Sequence, residues 1–294
     1  MQTTIIDGKK LAARLRAEIA AEVAALKAKG VTPGLAVVLV GDNPASVSYV
    51  TAKKKACAEA GMLSRELHLP ADAPESDLLA AIAELNADTT IHGILVQLPL
   101  PKGFSEKNVI HAIAPEKDVD GFTPVNVGKM LLGEDCFLPC TPHGILKLVE
   151  FAGVSVAGKH VVVIGRSNIV GKPVAALFAR KGTDATVTIC HTGTPDIALH
   201  TRQADVVVVA AGRPNTLTGD MIKPGAVVID VGVNRVPDPA SPKGYRLVGD
   251  ADFTSCAEKA AAITPVPGGV GPMTITMLLQ NTLQAAKTIQ PPTI

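Results

Sequence analysis

Tyr49 and Lys53 stand four residues apart in Tyr49-Val50-Thr51-Ala52-Lys53, and on a helix residues i and i+4 share a face. A phenol and an ammonium so placed can point into one cleft. A lysine beside Lys54 and Lys55, partly withdrawn from water, has a lowered pKa and can exchange protons near neutrality. The spacing alone is a weak signal, since a solvated lysine face also accounts for Lys54 and Lys55. Two other segments offer polar groups. Gly93-Ile94-Leu95-Val96-Gln97 has the character of a buried strand ending in an amide, followed by Leu98-Pro99-Leu100-Pro101, and the carboxyl end of a strand is where α/β sheets present ligand groups. Pro115-Glu116-Lys117-Asp118-Val119-Asp120-Gly121-Phe122 has the character of a turn whose carboxylates could pair with a protonated or amino-bearing heterocycle, or simply close an Asx-type turn.

Two glycine loops add binding chemistry. Thr264-Pro265-Val266-Pro267-Gly268-Gly269-Val270-Gly271-Pro272-Met273-Thr274 runs into an apolar helical pattern at Met273, Thr276, Met277, Leu279, Gln280 and Leu283. Such a loop can hold bare amides against something flat or anionic, or be a tight connection. The second loop, Gly165-Arg166-Ser167-Asn168-Ile169-Val170-Gly171-Lys172-Pro173, follows an apolar strand pattern and precedes a helical one, which is where an open parallel sheet binds dinucleotides. It is neither GxGxxG nor a Walker loop, because five residues separate its glycines and Pro173 takes the hydroxyl position. The following strand, Thr186-Val187-Thr188-Ile189-Cys190, ends at His191-Thr192 with no carboxylate for a ribose 2′-OH. Arg166 is placed to meet a 2′-phosphate, with Ser167, His191 and Thr192 as polar partners, so the cofactor predicted is NADP rather than NAD.

These residues need elements to hold them. Apolar runs at Leu35 to Val40, Ser64 to Leu69 and Gly93 to Gln97 alternate with helical patterns near 8–29, 44–60 and 75–87. A second series follows at His160 to Ile164, Thr186 to Cys190, Val206 to Ala210 and Ala226 to Val231. Fully apolar strands such as Val206-Val207-Val208-Val209 fit a parallel sheet covered on both faces, so two α/β domains are expected, the second a doubly wound Rossmann-like sheet. The boundary falls near 140, where Thr141-Pro142-His143-Gly144 opens a helix. Pro237 to Tyr245 has the composition of an exposed excursion.

Composition narrows the classes. The 28 basic and 27 acidic residues nearly cancel, so there is no electrostatic footprint for nucleic acid or an anionic membrane. No run of 18 apolar residues occurs, and the amino terminus lacks a basic region followed by an apolar core, so a soluble cytoplasmic protein is expected. The five cysteines show no CxxC pair; Cys136, Cys140 and His143 lack a fourth ligand, so reduced thiols and no metal are expected.

Taken in order, Tyr49xxxLys53, Val96-Gln97-Leu98-Pro99-Leu100-Pro101, Lys117-Asp118-Val119-Asp120-Gly121, Pro139-Cys140-Thr141-Pro142, the Gly165 loop and Pro265 to Thr274 closely resemble the bifunctional methylenetetrahydrofolate dehydrogenase/cyclohydrolase family over nearly the whole chain. The resemblance implies oxidation of 5,10-methylenetetrahydrofolate with NADP to the methenyl form, then hydration to 10-formyltetrahydrofolate. It implies a catalytic Lys53, with Tyr49 lining the folate site and Gln97 and Asp120 holding lysine and pterin. Leu98, Pro99, Pro267, Gly268 and Gly269 are expected to bind folate, and Gly165, Arg166, Ser167, His191, Thr192 and Val233 to bind NADP. It further implies a homodimer with the active site in a cleft between the domains, and a final helix that returns to the first domain. The expected division is therefore 1–140 plus 273–294 for catalysis and 141–272 for NADP. A monofunctional dehydrogenase, or a dinucleotide-binding regulatory protein without chemistry, are the alternatives. Tyr49, Lys53, Gln97 and Asp120 together argue against both, since a drifted site would be expected to lose some of them.

Overall fold

The computed structural model describes residues 3–242 and 244–289. Its chain forms two compact units, one made of Ala13–Cys140 with the chain from Ile275 onward, the other of the residues up to Ala12 with Thr141–Thr274.

In the first unit, strands Leu63–Leu69, Gly34–Val40 and Gly93–Val96 form a parallel sheet in that order. Every residue of the central strand Gly34–Val40 is buried, as parallel strands covered on both faces require. Strand Leu63–Leu69 lies at the edge and is only partly covered. Helix Pro44–Glu59 follows the central strand. Its amino end is fixed by the Asn43 side chain, which accepts from the amides of Ala45 at 2.9 Å and Ser46 at 3.3 Å, with Pro44 in the first turn. Ala36, Val38, Ile82, Leu85, Ile94 and Val109 are among the buried side chains packed between sheet and helices, each contributing about 1.5–3 kcal/mol of transfer free energy for the larger ones. Helices Glu106–Ala112 and Pro124–Leu132 carry the chain past the acidic turn; neither was anticipated from the sequence, being seven and nine residues long and too short for a clear period.

The second unit is a six-stranded sheet in the order Thr4–Ile5, Ala262–Ile263, Val227–Asp230, Val206–Val209, His160–Ile164, Thr186–Cys190, parallel throughout. From His160–Ile164 the chain goes to one side for Thr186–Cys190, then crosses to the other for Val206–Val209. That reversal puts the switch point of the sheet at the carboxyl end of His160–Ile164, directly before Gly165. Gly165 has φ +125°, and a Cβ there would collide with the Ala210 carbonyl oxygen, so two carboxyl-end loops meet as only glycine allows. Thr4–Ile5 belongs to this sheet and not with the first unit's strands; the Thr3 hydroxyl also bonds the Ala260 carbonyl at 2.7 Å. The Pro237 to Tyr245 excursion is the tip of an antiparallel hairpin formed by Asn234–Pro237 and Tyr245–Val248, with the Arg235 guanidinium 4.9 Å from the Tyr245 ring centroid.

Candidate active site

Helix Pro44–Glu59 turns Ser46, Val50, Lys53, Ala56 and Cys57 toward the sheet. Lys53 is 7% exposed, and its Nζ donates to Oε1 of Gln97 at 2.8 Å. Gln97 is oriented in turn, because its amide N–H continues the sheet ladder to the Val38 carbonyl at 2.8 Å and its Nε2 donates to the Leu98 carbonyl at 2.6 Å. Burial lowers the Lys53 pKa, and the negative charge of Asp120 works against that shift. Burial likewise raises Asp120, to about 6, against the pull of Lys53. Burial thus disfavours both charges, and each charge in turn favours the other. Tyr49, one turn before Lys53, is 44% exposed, leaving its ring accessible beside the buried lysine. Asp120 borders a recess whose walls include Leu98, Ile110 and Phe122.

The two carboxylates of the acidic turn have separate duties. Asp118 is buried and accepts four hydrogen bonds, from the amides of Gly121 at 3.0 Å, Phe122 at 3.2 Å and Thr123 at 2.7 Å and from Asn126 Nδ2 at 2.9 Å. It is the Asx-type turn. Asp120 makes no such bonds to backbone amides and faces Lys53 electrostatically. The turn docks beside strand Gly93–Val96, with the Ile94 amide donating to the Lys117 carbonyl at 2.8 Å. Lys117, also buried, donates to the carbonyls of Leu85 at 3.1 Å and Asp88 at 2.7 Å, satisfying the carboxyl end of helix Glu75–Ala87.

Two further residues near this cluster show their roles only in the folded chain. Cys140, expected only as a core thiol, bonds the Val119 carbonyl at 3.3 Å, and its own pKa is pushed well up by burial and then by the Asp120 charge. Asn281, buried in helix Val270–Thr288, donates to the carbonyls of Val119 at 2.8 Å and Leu138 at 2.9 Å, clamping the chain on both sides of Gly121. A single Asn within an apolar helical pattern was the available signal. Among the described residues no three His, Cys, Asp or Glu side chains cluster to hold a metal.

In the second unit Arg166, Ser167 and Thr192 are exposed after Gly165 and after strand Thr186–Cys190. The Ser167 Oγ accepts from the Val170 amide at 3.1 Å, which leaves its proton free to donate outward. His191 Nδ1 accepts from the Gly193 amide at 3.0 Å, a local turn. Val233 is 48% exposed. A glycine turn at the sheet's switch point with an exposed Arg and hydroxyls fits a phosphorylated dinucleotide. In the Gly/Pro loop Pro267 is exposed, whereas Gly268 and Gly269 are buried. The Lys9 amide donates to the Gly268 carbonyl at 3.1 Å, and a Cβ on Gly8 would collide with the Gly269 carbonyl. Packing against the start of helix Gly8–Lys27 therefore accounts for part of what those glycines do.

Comparison with known proteins gives a consistent picture. Residues 6–120 match the model of the tetrahydrofolate dehydrogenase/cyclohydrolase catalytic domain, and residues 139–290 match that of the tetrahydrofolate dehydrogenase/cyclohydrolase NAD(P)-binding domain. The bifunctional protein FolD of Geobacillus thermodenitrificans is 60% identical over 287 residues, 98% of each chain. The crystal structure of the bifunctional enzyme FolD, a methylenetetrahydrofolate dehydrogenase/cyclohydrolase from Campylobacter jejuni, is similar with a TM-score of 0.92 and 49% identity over 97% of this chain and 99% of that one. The Trypanosoma brucei methylenetetrahydrofolate dehydrogenase-cyclohydrolase, complexed with NADP cofactor and inhibitor, gives a TM-score of 0.94 with 44% identity over 98% of each chain.

The separate duties of the carboxylates lead to a stability test. Asp118→Ala strands three backbone donors and Asn126 in a buried turn and is expected to cost about 3 kcal/mol or more. Asp120→Ala strands no backbone donor and is expected to cost less than about 1 kcal/mol. Urea unfolding of both variants checks this, and equal losses would contradict the division of roles.

Proposed function

The chain belongs to the tetrahydrofolate dehydrogenase/cyclohydrolase family, and from that premise we propose how its residues divide the two reactions between them. It is a bifunctional enzyme of folate one-carbon metabolism that oxidises 5,10-methylenetetrahydrofolate with NADP to 5,10-methenyltetrahydrofolate and hydrolyses the latter to 10-formyltetrahydrofolate. The observation that carries the assignment of roles is the buried Lys53 ammonium donating to Gln97 at 2.8 Å under the influence of Asp120.

NADP, when bound, supplies the hydride acceptor for the first reaction. Gly165, Arg166, Ser167, His191, Thr192 and Val233 are the residues proposed to hold it, Arg166 taking the 2′-phosphate. The folate is proposed to lie against Tyr49, Gln97, Leu98, Pro99 and Asp120. In that role Asp120 faces the pterin, whose amino and ring N–H groups suit a carboxylate. Hydride transfer asks the protein chiefly for positioning.

Hydration asks for more. The methenyl carbon is already electrophilic, so the enzyme must help water lose a proton and then protonate nitrogen as the ring opens. Neutral Lys53 accepts the first proton, and the resulting ammonium, bonded to Gln97 and balanced by Asp120, returns one to the leaving nitrogen. The lowered pKa increases the neutral fraction near neutrality, and the Asp120 charge stops it from falling so far that the ammonium is never formed.

The assembly proposed is a homodimer in the cytoplasm, a setting in keeping with cysteines that form no disulfide among the described residues. No helix among the described residues is long and apolar enough to cross a membrane. Sedimentation velocity is expected to give twice the 30.3 kDa chain mass, and a particle of one chain would contradict the dimer.

The catalytic reading is tested by mixing purified protein with 5,10-methylenetetrahydrofolate and either NADP or NAD, following reduced nicotinamide and the methenyl chromophore together. Wild-type protein is expected to turn over better with NADP and to build up little methenyl intermediate. Lys53→Met is expected to lose hydration by about a hundredfold or more. Near-normal hydration by that variant removes Lys53 from the mechanism, and equal or better turnover with NAD removes Arg166 from the 2′-phosphate.

A further inference from the structure

The carboxyl ends of the second sheet are tied together by a pair of carboxylates that the reactions do not use. Asp250 is fully buried. One of its oxygens accepts from the amides of Ala211 and Gly212, both at 2.7 Å, and the other from Asn234 Nδ2 at 2.8 Å. Its carbonyl accepts from the Thr216 amide at 2.7 Å, and its own amide donates to Asp230 at 2.9 Å. Asp230, the last residue of strand Val227–Asp230, also accepts from the amides of Gly232 at 3.0 Å and Ala251 at 2.9 Å. The Asp230 amide donates to the Thr264 hydroxyl at 2.7 Å. These bonds join the loop after Val206–Val209, the loop after Val227–Asp230, the segment around Asp250 and the first residue of the Gly/Pro loop.

Glycines make room for the arrangement. A Cβ on Gly232 would collide with the Asp250 carboxylate, and one on Gly249 with that of Asp230. Side chains 0% and 3% exposed do not reach a ligand themselves; they act through the loops they hold. One of those loops, the one after Val206–Val209, borders the switch point. Gly165 is pressed against the carbonyl of Ala210, the residue before Ala211, and the exposed Val233 sits between Gly232 and Asn234.

We propose that Asp250 is a positioning residue for the dinucleotide site, a buried strap that sets the spacing of the carboxyl-end loops before NADP binds; this rests on the NADP reading above. A site whose loops are already ordered binds without paying to order them, so loosening the strap weakens NADP binding without touching the chemistry of the folate. Asp250→Asn keeps the shape but replaces one acceptor oxygen by a donor, so either the Ala211 and Gly212 amides or Asn234 lose their partner. Asn234→Ala removes the tie to Asp250 and a second bond to the Gly249 carbonyl at 3.2 Å, and leaves the bonds from the Ala211 and Gly212 amides to Asp250 intact.

Calorimetry with NADP on the full-length wild type and both variants, amide hydrogen exchange without ligand, and steady-state kinetics test the proposal. For Asp250→Asn, the Kd and KM for NADP are expected to rise about tenfold, the folate KM to stay within about twofold, and Ala211 and Gly212 to exchange faster. A smaller rise is expected for Asn234→Ala. Faster exchange with unchanged NADP affinity overturns the proposal, because the strap is then merely structural. If Asp250→Asn does not fold, Asn234→Ala decides: a raised Kd supports the strap and an unchanged one overturns it. Wild-type protein that binds no NADP removes the cofactor reading and the strap with it, whereas wild-type binding matched by both variants overturns the strap alone.

Discussion

An ammonium withdrawn from water needs compensation, and the first unit is organised around that need at Lys53. Leaving an ion unsolvated in a protein interior costs several kcal/mol, and a single hydrogen bond to a charged group returns about 1.5–3 kcal/mol. Gln97 provides such a bond at 2.8 Å, and Asp120 provides charge without a close ion pair. The compensation is partial, which is the useful condition: full pairing would hold the lysine charged, and none would hold it neutral. Gln97 can serve because its other amide atom and its backbone are both engaged, so the oxygen is presented in one direction.

The rest of the unit keeps those groups in register. The helix that carries Lys53 is started by Asn43 and Pro44, the strand that leads into Gln97 is paired to the central strand, and the turn that carries Asp120 is closed by Asp118 and clamped by Asn281. In both units buried carboxylates that accept from backbone amides hold loops in place, Asp118 within the acidic turn and Asp230 and Asp250 beyond the carboxyl ends of parallel strands.

Much of this was legible in the sequence because the signals were local. Val206 to Val209 announces a parallel core strand by composition, Gly165 follows its strand directly, and the i, i+4 spacing of Tyr49 and Lys53 survives any tertiary context. What escaped depends on distant partners. Asp118 and Asp120 are two residues apart and chemically identical, and only the donors around Asp118 separate them. Thr4–Ile5 is two residues long and becomes a strand because Ala262–Ile263 is beside it. Asn281 and Asp250 act on segments well over a hundred and about forty residues away respectively, distances that no periodicity encodes. Gly268 and Gly269, taken as ligand-facing amides, are explained in part by close approach to Gly8 and Lys9, a contact between opposite ends of the chain.

The central claim is that burial lowers the pKa of Lys53 while Gln97 and Asp120 keep its ammonium accessible. Heteronuclear NMR titration of the Lys53 Nζ, assigned by its loss in Lys53→Met, measures this directly. The account predicts a midpoint clearly below the ordinary lysine value of about 10.4; a midpoint at or above that value would contradict it.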